Sequence, residues 1–167
     1  MKYLIEQKLL AWGDDFTIRD AEGKQIYFVD GQGISFGNKL SFEDLEKQQL
    51  AFIEQRVWAW GNEYDIERDG TLLARVSRKS ASNSQAMRFF VDVPGPEDLE
   101  AVGNFIARDY KFIRHNVVVA TVQSDESTGG IFVDVPGNED AVLLLSAVIV
   151  IDLVSQEPVS SASLFRE

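Results

Sequence analysis

Apolar and polar residues alternate along most of this chain in short β-branched and aromatic runs, with Gly, Asp and Asn between them. A period of two over four to eight residues is the pattern of a half-buried strand. The runs predict strands near 3–9, 15–20, 24–30, 37–42, 49–60 (with room for a bend), 62–68, 71–78, 87–93, 102–107, 109–114, 117–123 and 130–135. Asp20-Ala21-Glu22-Gly23 and Arg68-Asp69-Gly70 are hairpin signals, because Gly supplies the positive φ that tight turns need. The segment 41–50, SFEDLEKQQL, favours helix by composition, but its flanks read as two strands around a turn, and the hairpin is the better reading.

A different pattern closes the chain. Residues 138–155 predict a helix, with Asn138 as its cap and Glu139 and Asp140 at the positive end of its dipole. Its stretch AVLLLSAVIVI is apolar on every side. A helix lying on one face of a sheet would show a polar stripe, so this one must be buried all round. About twelve strands also exceed what an open sheet carries without curling or splitting. Eight-stranded barrels are filled by side chains alone, whereas larger cans admit a helix. The expected architecture is therefore mainly β: a closed barrel of about twelve strands around a central hydrophobic C-terminal helix. It forms one domain over 1–155, with 156–167 as a tail.

The chain also repeats itself. FVDVPGPED at 90–98 recurs as FVDVPGNED at 132–140, identical at eight of nine positions and offset by 42 residues. WGDDFTIRDAEG at 12–23 is echoed more loosely by WGNEYDIERDG at 60–70, and more faintly by RDYKFI at 108–113. Divergent copies at such offsets fit a closed pseudo-symmetric β structure better than an open array.

Composition narrows the function. With 167 residues, 45% hydrophobic, the chain suits one well-filled domain. Its net charge of −11 argues against a nucleic-acid partner, since phosphate binding needs clustered Lys and Arg. The absence of Cys excludes disulfides, thiolate metal sites and Cys nucleophiles, and a single His excludes multi-His metal sites within one chain. The N-terminus, interrupted by Lys2, Glu6 and Lys8, does not read as a signal peptide. The longest apolar run, 141–151 between Asp140 and Asp152, falls short of the roughly 20 residues a membrane span needs. A cytoplasmic monomer is expected.

In aggregate the chain resembles the LURP-one-related family. The resemblance is carried by YLIEQKLLAWGDDFTIRDAEGKQIYFVDG at 3–31, KLSFEDLEKQQLAFIEQ at 39–55, YDIERDG at 64–70, GNFIARDYKFI at 103–113, VVATV at 118–122 and NEDAVLLLSAVIVID at 138–152. It implies the tubby-like fold, a twelve-stranded barrel around a central hydrophobic helix, and it resolves 41–50 as a hairpin. It supplies no catalytic motif. Relatives of the fold include tubby proteins, which bind phosphoinositides, and phospholipid scramblases; plant members are linked to defence.

The residues themselves offer little chemistry. No GxSxG elbow is present, and His115, beside Asn116, reads as a solvated turn residue. Asp14-Asp15 lacks the oxygen spacing of a calcium loop and reads as turn-forming or surface. Asp92 and Asp134, with Glu97-Asp98 and Glu139-Asp140, are paired carboxylates of the repeat, but acids also bound turns and cap helices, and that is the expected role. GQGISFG at 31–37 lacks the Lys of a phosphate loop. No catalytic residue, metal ligand or cofactor is assigned. The best candidates for anion binding are Arg75, Arg78, Lys79 and Arg88, concentrated on one expected hairpin of an acidic protein. The expected function is non-enzymatic: a binding or scaffold protein whose partner is a small ligand, an anionic lipid or another protein. The alternatives are phosphoinositide-type headgroup binding and scramblase-like membrane association.

Overall fold

The computed structural model describes residues 1–10, 13–31, 38–57, 63–80 and 87–156. Twelve strands precede one helix: β1 (Lys2–Leu10), β2 (Gly13–Arg19), β3 (Gln25–Gly31), β4 (Lys39–Asp44), β5 (Gln49–Gln55), β6 (Glu63–Arg68), β7 (Thr71–Ser80), β8 (Met87–Asp92), β9 (Leu99–Asn104), β10 (Asp109–Arg114), β11 (Val117–Asp125), β12 (Gly130–Asp134) and α1 (Ala141–Ser155). Each strand pairs antiparallel with its sequence neighbours, and β12 closes the barrel on β1 through Lys2↔Asp134 to Ile5↔Ile131. An even number of antiparallel strands closes without a mismatch of direction, and closure leaves no free edge to template aggregation.

Each strand turns alternate residues inward. Phe16 and Ile18 of β2, Tyr64 and Ile66 of β6, and Phe112 of β10 are all at most 1% exposed. α1 fills the space they enclose: Leu144 through Ile151 have no more than 1% exposure at any position. The helix has no wet face because the barrel surrounds it. Asp140 caps it, its Oδ1 accepting the Leu143 N–H at 3.1 Å.

Three boundaries differ from the sequence expectation. The strand expected at 102–107 is β9 at 99–104; apolar Phe105 and Ile106 belong to the following turn, where Arg108 has φ +55° and its N–H reaches the Phe105 carbonyl at 3.2 Å. The helix begins at Ala141 and its cap is Asp140, not Asn138, because Glu139 donates its N–H to Pro136 O in a separate turn. The strand expected through residue 60 ends at Gln55, and residues 58–60 lie outside the described residues. Segment 41–50 is the hairpin of β4 and β5.

The repeats map onto the barrel with a spacing of four strands. The 12–23, 60–70 and 108–113 echoes fall on β2, β6 and β10. Their inward positions correspond: Phe16, Tyr64 and Tyr110, then Ile18, Ile66 and Phe112. The stricter pair falls on β8 and β12, again four strands apart.

Candidate functional site

Strand direction sorts the connections between the two ends of the barrel. β12 delivers the chain to one end, where α1 enters; the loops β2–β3, β4–β5, β6–β7, β8–β9 and β10–β11 share that end. The two copies of the repeat finish there too and cross the barrel mouth. In the first copy Asp98 Oδ1 accepts the Val93 N–H at 2.8 Å and closes the β8–β9 loop. In the second, the equivalent Asp140 caps α1 and binds Arg68 through both carboxylate oxygens, at 3.1 and 3.2 Å.

The duplicated glutamates converge on one arginine. Arg114, at the end of β10, places Nη1 2.8 Å from Glu139 Oε1 and Nε 3.0 Å from Glu97 Oε2. Arg114 and Glu139 are 19% and 11% exposed at the side chain, so this contact is largely screened from solvent, whereas Glu97 at 53% opens to water. A single guanidinium thus ties together loops that lie four strands apart, using its fixed fork of donors.

Behind this clamp lies a cavity of about 490 Å³. Its apolar wall is Leu73, Val93, Leu99, Leu143 and Leu144; its polar rim is Glu97, Arg114, Asn138, Glu139 and Asp140. Apolar and polar residues share its lining equally, five of each, and its volume lies within the range of small-molecule pockets. The sequence alone assigns none of these residues a ligand role. The one signal in the sequence is the duplicated Pro-Gly-X-Glu-Asp, whose two glutamates the fold brings to the same arginine.

The four basic residues expected to form an anion site are only partly brought together. Lys79 and Arg88 face each other across β7 and β8, and Arg78 sits opposite Phe89. Arg75 lies lower on β7 and is held by Asp65, Nε to Oδ1 at 2.7 Å; that hydrogen bond raises its guanidinium further above its ordinary range, against the opposing effect of burial. Arg88 pairs with Glu100 at 3.2 Å, and Lys79 Nζ stands 4.7 Å over the Phe90 ring. Arg78 is exposed and has no ion-pair partner among the described residues.

The other candidates stay apart. His115 and Asn116 form an exposed turn with φ +49° and +63°. Asp92 and Asp134 are both exposed, on strands with three others between them. Asp134 lies 3.7 Å from the N-terminal amine. Asp15 accepts the Gly31 N–H at 3.0 Å, while the Asp14 side chain and residues 32–37 lie outside the described residues. Among the described residues no three His, Cys, Asp or Glu side chains are placed to hold a metal ion, and no helix is long and apolar enough to cross a membrane.

A closed twelve-strand antiparallel barrel around a central apolar C-terminal helix is the tubby-like barrel architecture. The chain belongs to the LURP-one-related family, whose sequence model matches residues 1–152. Its fold is similar to the X-ray structure of a protein from Arabidopsis thaliana, with TM-score 0.68 and 17% identity, over 93% of this chain and 91% of that one. No curated protein matches the chain.

Proposed function

We propose that this protein is a non-enzymatic binding module that holds a small ligand in the cavity beside the N-terminal end of α1. The observation that carries this reading is the cavity's composition: an apolar wall reaching the central helix, under a rim of charged groups already ordered by ion pairs. Preordered polar groups lower the cost of binding. Closure of the barrel, which leaves no edge strand to extend, favours a monomer as the working unit. The experiment is mass spectrometry of small molecules that co-purify with the chain, compared with a Val93→Trp variant that fills the cavity. The expected result is a bound molecule in the wild type that the variant lacks. The same molecule in both would place the ligand elsewhere.

A second reading has one observation in its favour. Arg78, Lys79 and Arg88 share one end of the β7–β8 hairpin, and Arg78 has no ion-pair partner among the described residues. On this reading the hairpin touches anionic lipid headgroups. Binding to anionic vesicles would then weaken between 0.01 and 0.15 M salt, as the screening length falls from about 30 to about 8 Å. The combined change of Arg78, Lys79 and Arg88 to Gln would abolish it. Wild-type protein that ignores such vesicles at low salt rules this reading out.

A further inference from the structure

We infer that the cavity at the mouth of the barrel takes an amphipathic cation, an ammonium or guanidinium group carried on an apolar body. This inference rests on the cavity being the ligand site and specifies the class of ligand.

A helix N-terminus by itself would favour an anion, since its dipole is equivalent to about half a positive charge. Here that position is taken by the chain's own carboxylate. Asp140 Oδ1 accepts the Leu143 N–H at 3.1 Å, and both its oxygens engage Arg68. The cations near the cavity are likewise committed. Arg114 is bound to Glu139 and Glu97, and Arg68 to Asp140. An incoming anion would find no unpaired cation among these groups, and would have to displace an existing ion pair.

The carboxylates, in contrast, outnumber the guanidinium groups. Glu97, Glu139 and Asp140 line the cavity, against Arg114 on the rim and Arg68 just outside it. Glu97 Oε2 stands 3.0 Å from Arg114 Nε as an ion pair, while that N–H donates to the Glu97 backbone carbonyl at 3.2 Å, and neither Glu97 carboxylate oxygen accepts a hydrogen bond among the described residues. An ionised carboxyl has room for about four donors, so Glu97 retains acceptor capacity at the mouth. The surroundings point the same way. The connecting segments at this end, 20–24, 45–48, 69–70, 93–98, 115–116 and 135–140, hold eight carboxylates, Glu97, Glu139 and Asp140 among them, and two lysines. A concave site framed by one sign of charge concentrates the opposite sign. The apolar wall, ending on Leu143 and Leu144 of the helix, gives the body of the ligand a surface to cover.

The test uses the full chain and three probes of one length: n-octylammonium, n-octanol and octanoate. Ligand-observed NMR and thermal shift report binding. The expected order is octylammonium above octanol, with octanoate weakest. Glu97→Gln leaves in place the backbone carbonyl that accepts from Arg114 and removes the side-chain charge. It should weaken octylammonium about tenfold, the factor expected for one charge-assisted hydrogen bond, and leave octanol unchanged. Val93→Trp should abolish both. Octanol or octanoate binding as tightly as the amine overturns the charge preference while leaving the cavity as the ligand site. Octylammonium binding that Val93→Trp does not change overturns the inference, because the amine then sits elsewhere. If none of the three binds, the inference falls, and the co-purification experiment decides separately whether the cavity holds a ligand of another class.

Discussion

Arg108 leaves the β9–β10 turn and reaches into the far end of the barrel to meet Asp152 of α1, with Nε to Oδ1 at 2.7 Å and Nη2 to Oδ2 at 3.2 Å. Asp152 is 4% exposed and is the one charged residue of α1, and the Arg108 guanidinium is its partner. Beside it the Tyr110 phenol is pushed well up, by burial first and by the Asp152 charge second, and stays protonated. Removing one partner of a buried pair strands the other. Arg108→Ala should cost about 3 kcal/mol in urea unfolding, and adding Asp152→Asn should restore most of it. A loss below about 1 kcal/mol would place Asp152 in contact with water. A second residue-scale effect is at Asp30, whose carboxyl is raised by burial, then by the charge and hydrogen bond of Asp15, with Lys47 opposing. A carboxyl raised in the folded state holds its proton there more firmly than in the unfolded chain. This interaction therefore erodes stability as pH rises from the ordinary carboxyl range through the folded value. Asp15→Asn keeps an acceptor for the Gly31 N–H and removes the charge. The Asp30 titration followed by carboxyl NMR should move down toward the ordinary range.

Among the elements, the hairpins are locally specified. Asp20 Oδ1 accepts the N–H groups of Glu22 and Lys24 at 3.0 and 2.9 Å, and Asp44 Oδ1 does the same for Glu46 and Gln48 at 2.8 and 2.9 Å. The residue before each loop's last position turns left-handed, Gly23 at φ +82° and Lys47 at +62°. Such side-chain-to-backbone bonds lie within five residues, which is why these turns were legible in the sequence. β9 was not. Its misplacement came from Phe105, which looks like a strand residue but is buried as a plug, its ring centroid 4.8 Å from that of Phe89. Gly103 supports this arrangement. At φ +143°, a Cβ there would meet Asp109 O and Tyr110 Cα, each at 2.6 Å. Both obstacles are backbone. Gly103→Ala should lower stability by about 1–3 kcal/mol from conformation alone, and more from the clash, as measured by denaturant midpoint. A near-neutral result would mean that β9 and β10 can separate freely there.

Seen whole, the molecule depends on the fit of helix to barrel. Twelve strands enclose more space than their own side chains fill, and α1 occupies the remainder. Leu144 is 1% exposed and Val148 is fully buried, each facing the barrel wall or its contents with no route to water. Leu144→Asp or Val148→Asp should prevent folding, because a buried unpaired charge costs several kcal/mol against a total stability of about 5–15 kcal/mol. A soluble variant with a near-native melting temperature would show that the helix lies outside the barrel. The spacing of the sequence echoes, on β2, β6 and β10, places three corresponding stretches with matching inward residues a third of the way round the barrel from one another. The barrel therefore presents similar apolar rings to a helix that is apolar all round.

Period and burial class were written in the chain itself. Strand alternation is a property of neighbouring residues, and a helix without a polar stripe must be enclosed whatever encloses it. Together these were enough to read a closed barrel around a C-terminal helix. Only the tertiary structure decided which charges meet. Arg75 and Arg88 looked like free cations along β7 and β8, but cross-strand register gives them Asp65 and Glu100. Arg114 meets Glu97 and Glu139, and Arg108 meets Asp152, across 17, 25 and 44 residues of chain. The cavity arises the same way, from two loops and a helix start gathered at one mouth. A charge's partner is set by the register and closure of the whole barrel, and no local pattern within a single strand encodes it.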